Sequence, residues 1–113
     1  MMMTKITYHI KYVRRDGVDD GYQSNYRQSD PIEQRKKAFT SLNAFRANSN
    51  DPDWISKAGA VFSGIQIAFK CDGSYYPIAG FNSSELSEEI INQNRIKEVN
   101  SLRKMGVAYE PWY

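Results

Sequence analysis

Apolar and polar residues alternate without interruption from Lys5 to Val13. Ile6, Tyr8, Ile10 and Tyr12 fall on one side, and Lys5, Thr7, His9 and Lys11 on the other. A period of two with one apolar side describes a half-buried β-strand. The segment Arg14-Arg15-Asp16-Gly17-Val18-Asp19-Asp20-Gly21 is rich in residues that tolerate positive φ. After it, Tyr22, Ser24, Tyr26 and Gln28 resume the period of two, so the pattern predicts a hairpin with a long loop.

The period then changes. Asp30-Pro31-Ile32-Glu33 reads as a helix start, because Asp30 can cap free amides, Pro31 suits the first helical position and Glu33 can reach back to the cap. The helix is predicted from Pro31 to about Ala47, with Ile32, Ala38, Phe39, Leu42 and Phe45 inward and Arg35, Lys36, Lys37 and Ser41 toward solvent. Asp51-Pro52 repeats the signal for one further turn, ending at Ala58 and stopped by Gly59.

Asp72-Gly73 separates two strand-like runs and predicts a two-residue turn that pairs Cys71 with Ser74, Phe69 with Tyr76 and Ile67 with Ile78. Ile65, Ile67, Phe69, Tyr76 and Ile78 then share one face, and Gln66, Ala68, Lys70 and Tyr75 the other. Pro77 lacks an amide proton, which marks this strand as an edge or the site of a bulge.

The last helix is predicted to begin at a capping box of Asn82 and Glu85, with Phe81 stapled to Leu86. It ends at Gly106, with Val107 placed to touch Leu102 in a Schellman close. Glu88 and Glu89 near its start and Arg103 and Lys104 near its end suit the helix dipole. Asn92-Gln93-Asn94 supplies no apolar anchor, so a bend or two packing partners are expected there.

The order β-β-α-β-β-α predicts an α+β domain: an antiparallel sheet of two hairpins with helices packed on one face. It is expected to be a single globular domain over residues 1–113, with a flexible start at residues 1–4 and an aromatic tail at 107–113. No apolar run approaches the length of a membrane span. A single cysteine, Cys71, fits a reducing compartment, and a cytoplasmic location is expected. Cys71 itself reads as a small core residue.

Little in the chain suggests catalysis. The one histidine, His9, lies on the polar side of the first strand without the ligand set of a zinc site or the partners of a general base, and is expected at the surface. Asp16, Asp19 and Asp20 resemble the start of a calcium loop, but Val18 and Arg27 stand where oxygen ligands are required. There is no glycine-rich phosphate loop. The sequence therefore predicts no enzyme, no cofactor and no metal.

Charge is uneven along the chain. Residues 1–50 hold nine Lys/Arg against five Asp/Glu, and residues 51–113 six against eight. Two surface constellations follow. Arg14, Arg15, Arg27, Arg35, Lys36 and Lys37, close in sequence to Tyr22 and Tyr26, could hold phosphates and unpaired bases. Tyr22, Tyr26 and Arg27, together with Tyr109, Trp112 and Tyr113 of the tail, have the residue types that dominate protein interfaces. The expectation from sequence is a small binding protein that regulates or inhibits a larger protein or protein–RNA complex by occupying a surface, as phage and mobile-element inhibitors of host machinery do. Nucleic-acid binding through the basic first half is the alternative.

Overall fold

The computed structural model describes residues 5–23, 30–83 and 86–107. Its centre is an antiparallel sheet of three strands in the order β1 (Thr7–Arg14), β2 (Phe62–Cys71) and β3 (Ser74–Phe81). Four helices accompany it: α1 (Pro31–Asn48), α2 (Pro52–Ile55), α3 (Ala58–Val61) and α4 (Glu88–Lys104). The α+β class is as predicted, but the two-hairpin topology is not. β1 pairs along its length with β2, and its expected hairpin partner contributes one bridge, in which Gln23 N–H donates to Ile10 O at 2.8 Å. Tyr22 is turned over the sheet face to bond Gln66 instead of alternating in a ladder. The remainder of the expected strand, residues 24–28, lies outside the described residues.

The turn between β2 and β3 forms as the sequence indicates. Asp72 and Gly73 have φ of 51° and 83°, the paired left-handed geometry of a type I′ hairpin. The register holds through Ala68 opposite Pro77 and then shifts, so that Ile67 faces Ala79 and not the expected Ile78. The extra residue is Ile78, and the bulge sends both Ile78 and Ala79 into the core. Pro77 thus marks both an edge strand and a bulge.

One face of the sheet carries Tyr8, Ile65, Ile67, Phe69 and Ile78, all fully buried, and packs against Ala38, Phe39, Leu42 and Phe45 of α1 and Leu102 of α4. Burial of each large side chain contributes about 1.5–3 kcal/mol, so this layer supplies most of the stabilisation. The start of α1 is as predicted: Asp30 accepts from the Ile32 amide and Pro31 opens the helix. The second start is also as predicted, with Asp51 accepting from Asp53 N–H. Gly59 does not end that turn, however. The chain re-forms a short helix, α3, that contains it.

α4 departs most from expectation. Its cap is Ser87, which accepts from Ile90 N–H. Asn82 has φ 52° and lies outside the helix, because the chain reverses direction there and a cap residue needs extended backbone. The C-terminus matches its prediction: Gly106 at φ 74° donates to Arg103 O and Val107 N–H to Leu102 O, both at 3.0 Å, which is the double bond of a Schellman motif. The stretch without an apolar anchor is part of the docked side. Asn94 donates through Nδ2 to Pro77 O at 2.7 Å and Arg95 through Nε to Ile78 O at 3.0 Å, meeting the carbonyls around the bulge.

Deeper along the same side of α4, Glu98 is fully buried. One carboxylate oxygen accepts from Arg35 Nε at 2.9 Å and from the Tyr8 hydroxyl in a short bond. Arg35, expected in solvent, is itself fully buried, with its guanidinium 4.7 Å from the Phe39 ring centroid. Next to it, Gln34 Oε1 accepts from Tyr8 N–H at 3.0 Å and covers the outer edge of β1.

Gly73→Val forces a β-branched residue into left-handed backbone and should cost about 1–3 kcal/mol; urea melts indistinguishable from the parent would refute the turn. Glu98→Ala leaves the Arg35 cation inside the protein without its carboxylate and should cost about 3–5 kcal/mol, whereas Arg35→Met combined with Glu98→Leu should recover most of that loss. Chemical denaturation of the three proteins measures both differences.

Candidate functional site

The face of the sheet opposite the core is built from the polar positions of the alternation: Thr7, His9 and Lys11 on β1, Gln66, Ala68 and Lys70 on β2, and Tyr75 on β3. Ala68 is too small to fill its place, and the Gly21–Gln23 segment folds back across this region. The Tyr22 ring stacks on Tyr75, with centroids 4.4 Å apart and planes 16° from parallel. Its hydroxyl donates to Gln66 Oε1 at 3.0 Å, and Gln66 Nε2 donates to Ser83 Oγ in a short bond. Gln66 is nearly inaccessible, so the amide that anchors the Tyr22 hydroxyl is itself held in place.

Cations close on the stacked pair. Lys11 Nζ lies 5.1 Å from the Tyr22 centroid and Lys70 Nζ 5.2 Å from that of Tyr75. Lys11 and Lys70 project from rows of the sheet four residues apart along β1, since Lys11 is opposite Gln66 and Lys70 opposite Thr7. Tyr75 remains 37% exposed, so the assembly is ordered yet accessible.

His9 is not at the surface as expected: it is 5% exposed beneath the Tyr75 ring, which it meets edge-on at 5.2 Å. Nδ1 is 3.1 Å from the Gln23 carbonyl, which can only accept, so Nδ1 carries the proton and Nε2 accepts from the Thr7 hydroxyl at 2.7 Å. Burial lowers the pKa of the ring, the Gln23 carbonyl opposes that shift, and repulsion from Lys70 adds to it.

Of the residues singled out for protein binding, Tyr22 belongs to this surface. Tyr26, Arg27, Tyr109, Trp112 and Tyr113 lie outside the described residues. The described members of the basic constellation, which leave out Arg27, are spread over several local contacts. Arg14 is held by Asp16 at 2.6 Å and Asp20 at 3.2 Å, which raises its own pKa and keeps the Asp16 carboxyl below the usual carboxylate range. Arg15 donates to Gly59 O. Arg35 is buried on Glu98, and Lys36 lies 3.6 Å from Glu33. Arg14 is six residues along β1 from Tyr8, where Arg35 meets Glu98, about 20 Å at the rise of a strand. Lys37 is exposed on α1.

Sequence reasoning did not single out Lys11, Lys70 and Tyr75, although the signal was present: strand alternation puts them on one face, and only the β1–β2 pairing was needed to join them. Cys71 is buried, as expected of a small core residue, and burial pushes its thiol pKa up. Asp16 and Asp19 accept from Val18 and Gly21 N–H in local turns. Among the described residues no group of three or more metal-binding side chains forms, and no helix is long and apolar enough to cross a membrane.

A concavity of about 310 Å³ lies between α1 and the far end of β1, walled by Tyr12, Phe45, Trp54 and Phe62 with Ser41 and Asn48 at its margin. Comparison of the chain with protein-family models, curated proteins and solved structures finds no match.

Because the depressed His9 pKa favours the neutral ring in the folded state, its contribution to stability is fully present above the ordinary imidazole value of about 6.5 and falls as pH drops through the lower folded value. An NMR titration of His9 should therefore find its midpoint below that ordinary value, and denaturation should show stability declining on that acidic side. A midpoint at or above the ordinary value would show that burial does not govern the ring.

Proposed function

We propose that the protein is a small non-enzymatic binding protein that regulates or inhibits a larger protein or protein–RNA complex by occupying a surface, and that its docking surface is the open face of the sheet around Tyr22 and Tyr75. The observation that carries this reading is the stacked tyrosine pair, bonded through Gln66 and bracketed by Lys11 and Lys70 while Tyr75 stays accessible. Tyrosines bury large areas on binding, and rings already ordered in the free protein lose little further entropy. In this reading the protein acts in the cytoplasm, consistent with its single thiol.

Nucleic-acid binding through the basic first half draws less support. Of its six cations, Arg14 is held by two carboxylates and Arg35 is buried on a third, which removes two of the charges that reading would set against a phosphate backbone.

Tyr75→Ala should weaken partner binding by about 2 kcal/mol, roughly 30-fold, with little change in melting temperature, since the side chain is partly exposed on the face away from the core. Photo-crosslinking from a neighbouring surface position in a relevant lysate, with and without nuclease, measures this. A defined protein adduct that survives nuclease and is lost in the Tyr75 variant is expected. Adducts that are only nucleic acid, or equal capture by the variant, would overturn the reading.

A further inference from the structure

We propose that the open sheet face docks an acidic polypeptide segment, whose carboxylates are held by Lys11 and Lys70 on either side of the stacked Tyr22–Tyr75 pair. This assignment rests on reading that face as the docking surface and names the chemistry of what it takes.

Among the described residues, charge on this face is largely one-sided. Lys5, Lys11 and Lys70 all belong to it by strand parity. The carboxylate facing them is Asp19, 3.7 Å from Lys11 and with its own side chain 69% exposed. The Lys11 side chain is only 17% exposed, but Asp19 meets it from solvent at a separation longer than a hydrogen bond, so a better-placed anion can displace that carboxylate. Lys70 has no ion-pair partner among the described residues, and its contact is with the Tyr75 ring.

The ring geometry favours a carboxylate over a nucleobase. Proteins that hold single-stranded nucleic acid gain about 1–3 kcal/mol per base by stacking it on an aromatic face. Here the tyrosines are stacked on each other, with Lys11 over one ring and Lys70 over the other. The ring faces are already engaged, so a ligand meets the exposed Tyr75 at its edge. An aromatic edge carries positive partial charge, so the edges reinforce the lysines in attracting an anion.

Spacing points to an extended chain. Lys11 and Lys70 stand in rows four residues apart along β1, about 14 Å at the rise of an antiparallel strand. A ligand strand repeats its side-chain direction every second residue, so acidic side chains four residues apart meet both ammonium groups.

Fluorescence anisotropy on the full chain tests the assignment, with labelled decaglutamate and labelled decauridylate as probes. Decaglutamate should bind more tightly than decauridylate. Lys70→Glu should weaken it about tenfold or more, and Lys70→Ala by about threefold. Lys36→Glu makes the same charge change on the exposed side of α1, where Lys36 is 54% exposed, and should leave affinity within about twofold; melts of each variant confirm that it is folded. Tighter binding of decauridylate, or equal losses in Lys70→Glu and Lys36→Glu, would overturn the proposal, the second by showing that net charge alone is sensed. If decaglutamate fails to bind while the crosslinked protein is still lost in Tyr75→Ala, the acidic ligand is overturned and the docking face stands. If decaglutamate binding depends on Lys70 and no protein adduct forms, the acidic-ligand assignment is supported and the cellular reading fails.

Discussion

Glu98 is fully buried, and a single oxygen of its carboxylate accepts from both the Tyr8 hydroxyl on β1 and the Arg35 guanidinium on α1. That constraint ties α4 to both β1 and α1. The docked side of this helix is unusually polar, with Asn94, Arg95, Glu98 and Ser101 facing the body of the protein and Leu102 as the fully buried apolar side chain. Apolar area would tolerate rotation or sliding of the helix by a residue. Directional bonds to a fixed tyrosine, a fixed arginine and the bulge carbonyls do not. A buried ion pair adds little net stability over well-packed apolar residues, so its effect here is to select one register for α4 against the sheet.

The same constraint reaches the open face. Tyr8 is held on the core side of β1 by Glu98, with its amide bonded to Gln34. Alternation then fixes His9 and Lys11 on the other side. The β1–β2 register brings them beside Gln66, Ala68 and Lys70, and the hairpin adds Tyr75. The cation–tyrosine array is thus the reverse side of a strand whose orientation is set by buried contacts.

What was legible in the sequence is what short stretches of chain determine by themselves. The alternation of β1, the Asp72-Gly73 turn, the Asp30-Pro31 start and the Gly106 stop each depend on neighbours within a few residues, and each appears where expected. Arg35 was misread because a charged residue on a helix face defaults to solvent unless its partner is known, and its partner, Glu98, lies 63 residues away. The start of α4 was misplaced because Asn82-Ser83-Ser84-Glu85 has the composition of a capping box, while the exit from β3 demands left-handed backbone at Asn82. The first hairpin was misjudged at Tyr22, which satisfies the strand period yet spends its side chain on Gln66 and Tyr75. The candidate site was half visible, its faces assigned correctly and their juxtaposition hidden in the pairing of strands that are distant in sequence.

A three-stranded sheet has two outer strands, and exposed strand edges are the usual seeds of fibrous self-association. Along β1, Gln34 occupies the amide of Tyr8 and Gln23 the carbonyl of Ile10. Along β3, Pro77 offers no donor, the bulge at Ile78 breaks the ladder, and Asn94 and Arg95 occupy the carbonyls of Pro77 and Ile78. Both margins are interrupted by side chains, so another copy of the chain finds no continuous row of backbone groups to extend. Edge-to-edge growth is thereby opposed at the margins of the sheet, without any charge or bulk being required of the face that carries the tyrosines.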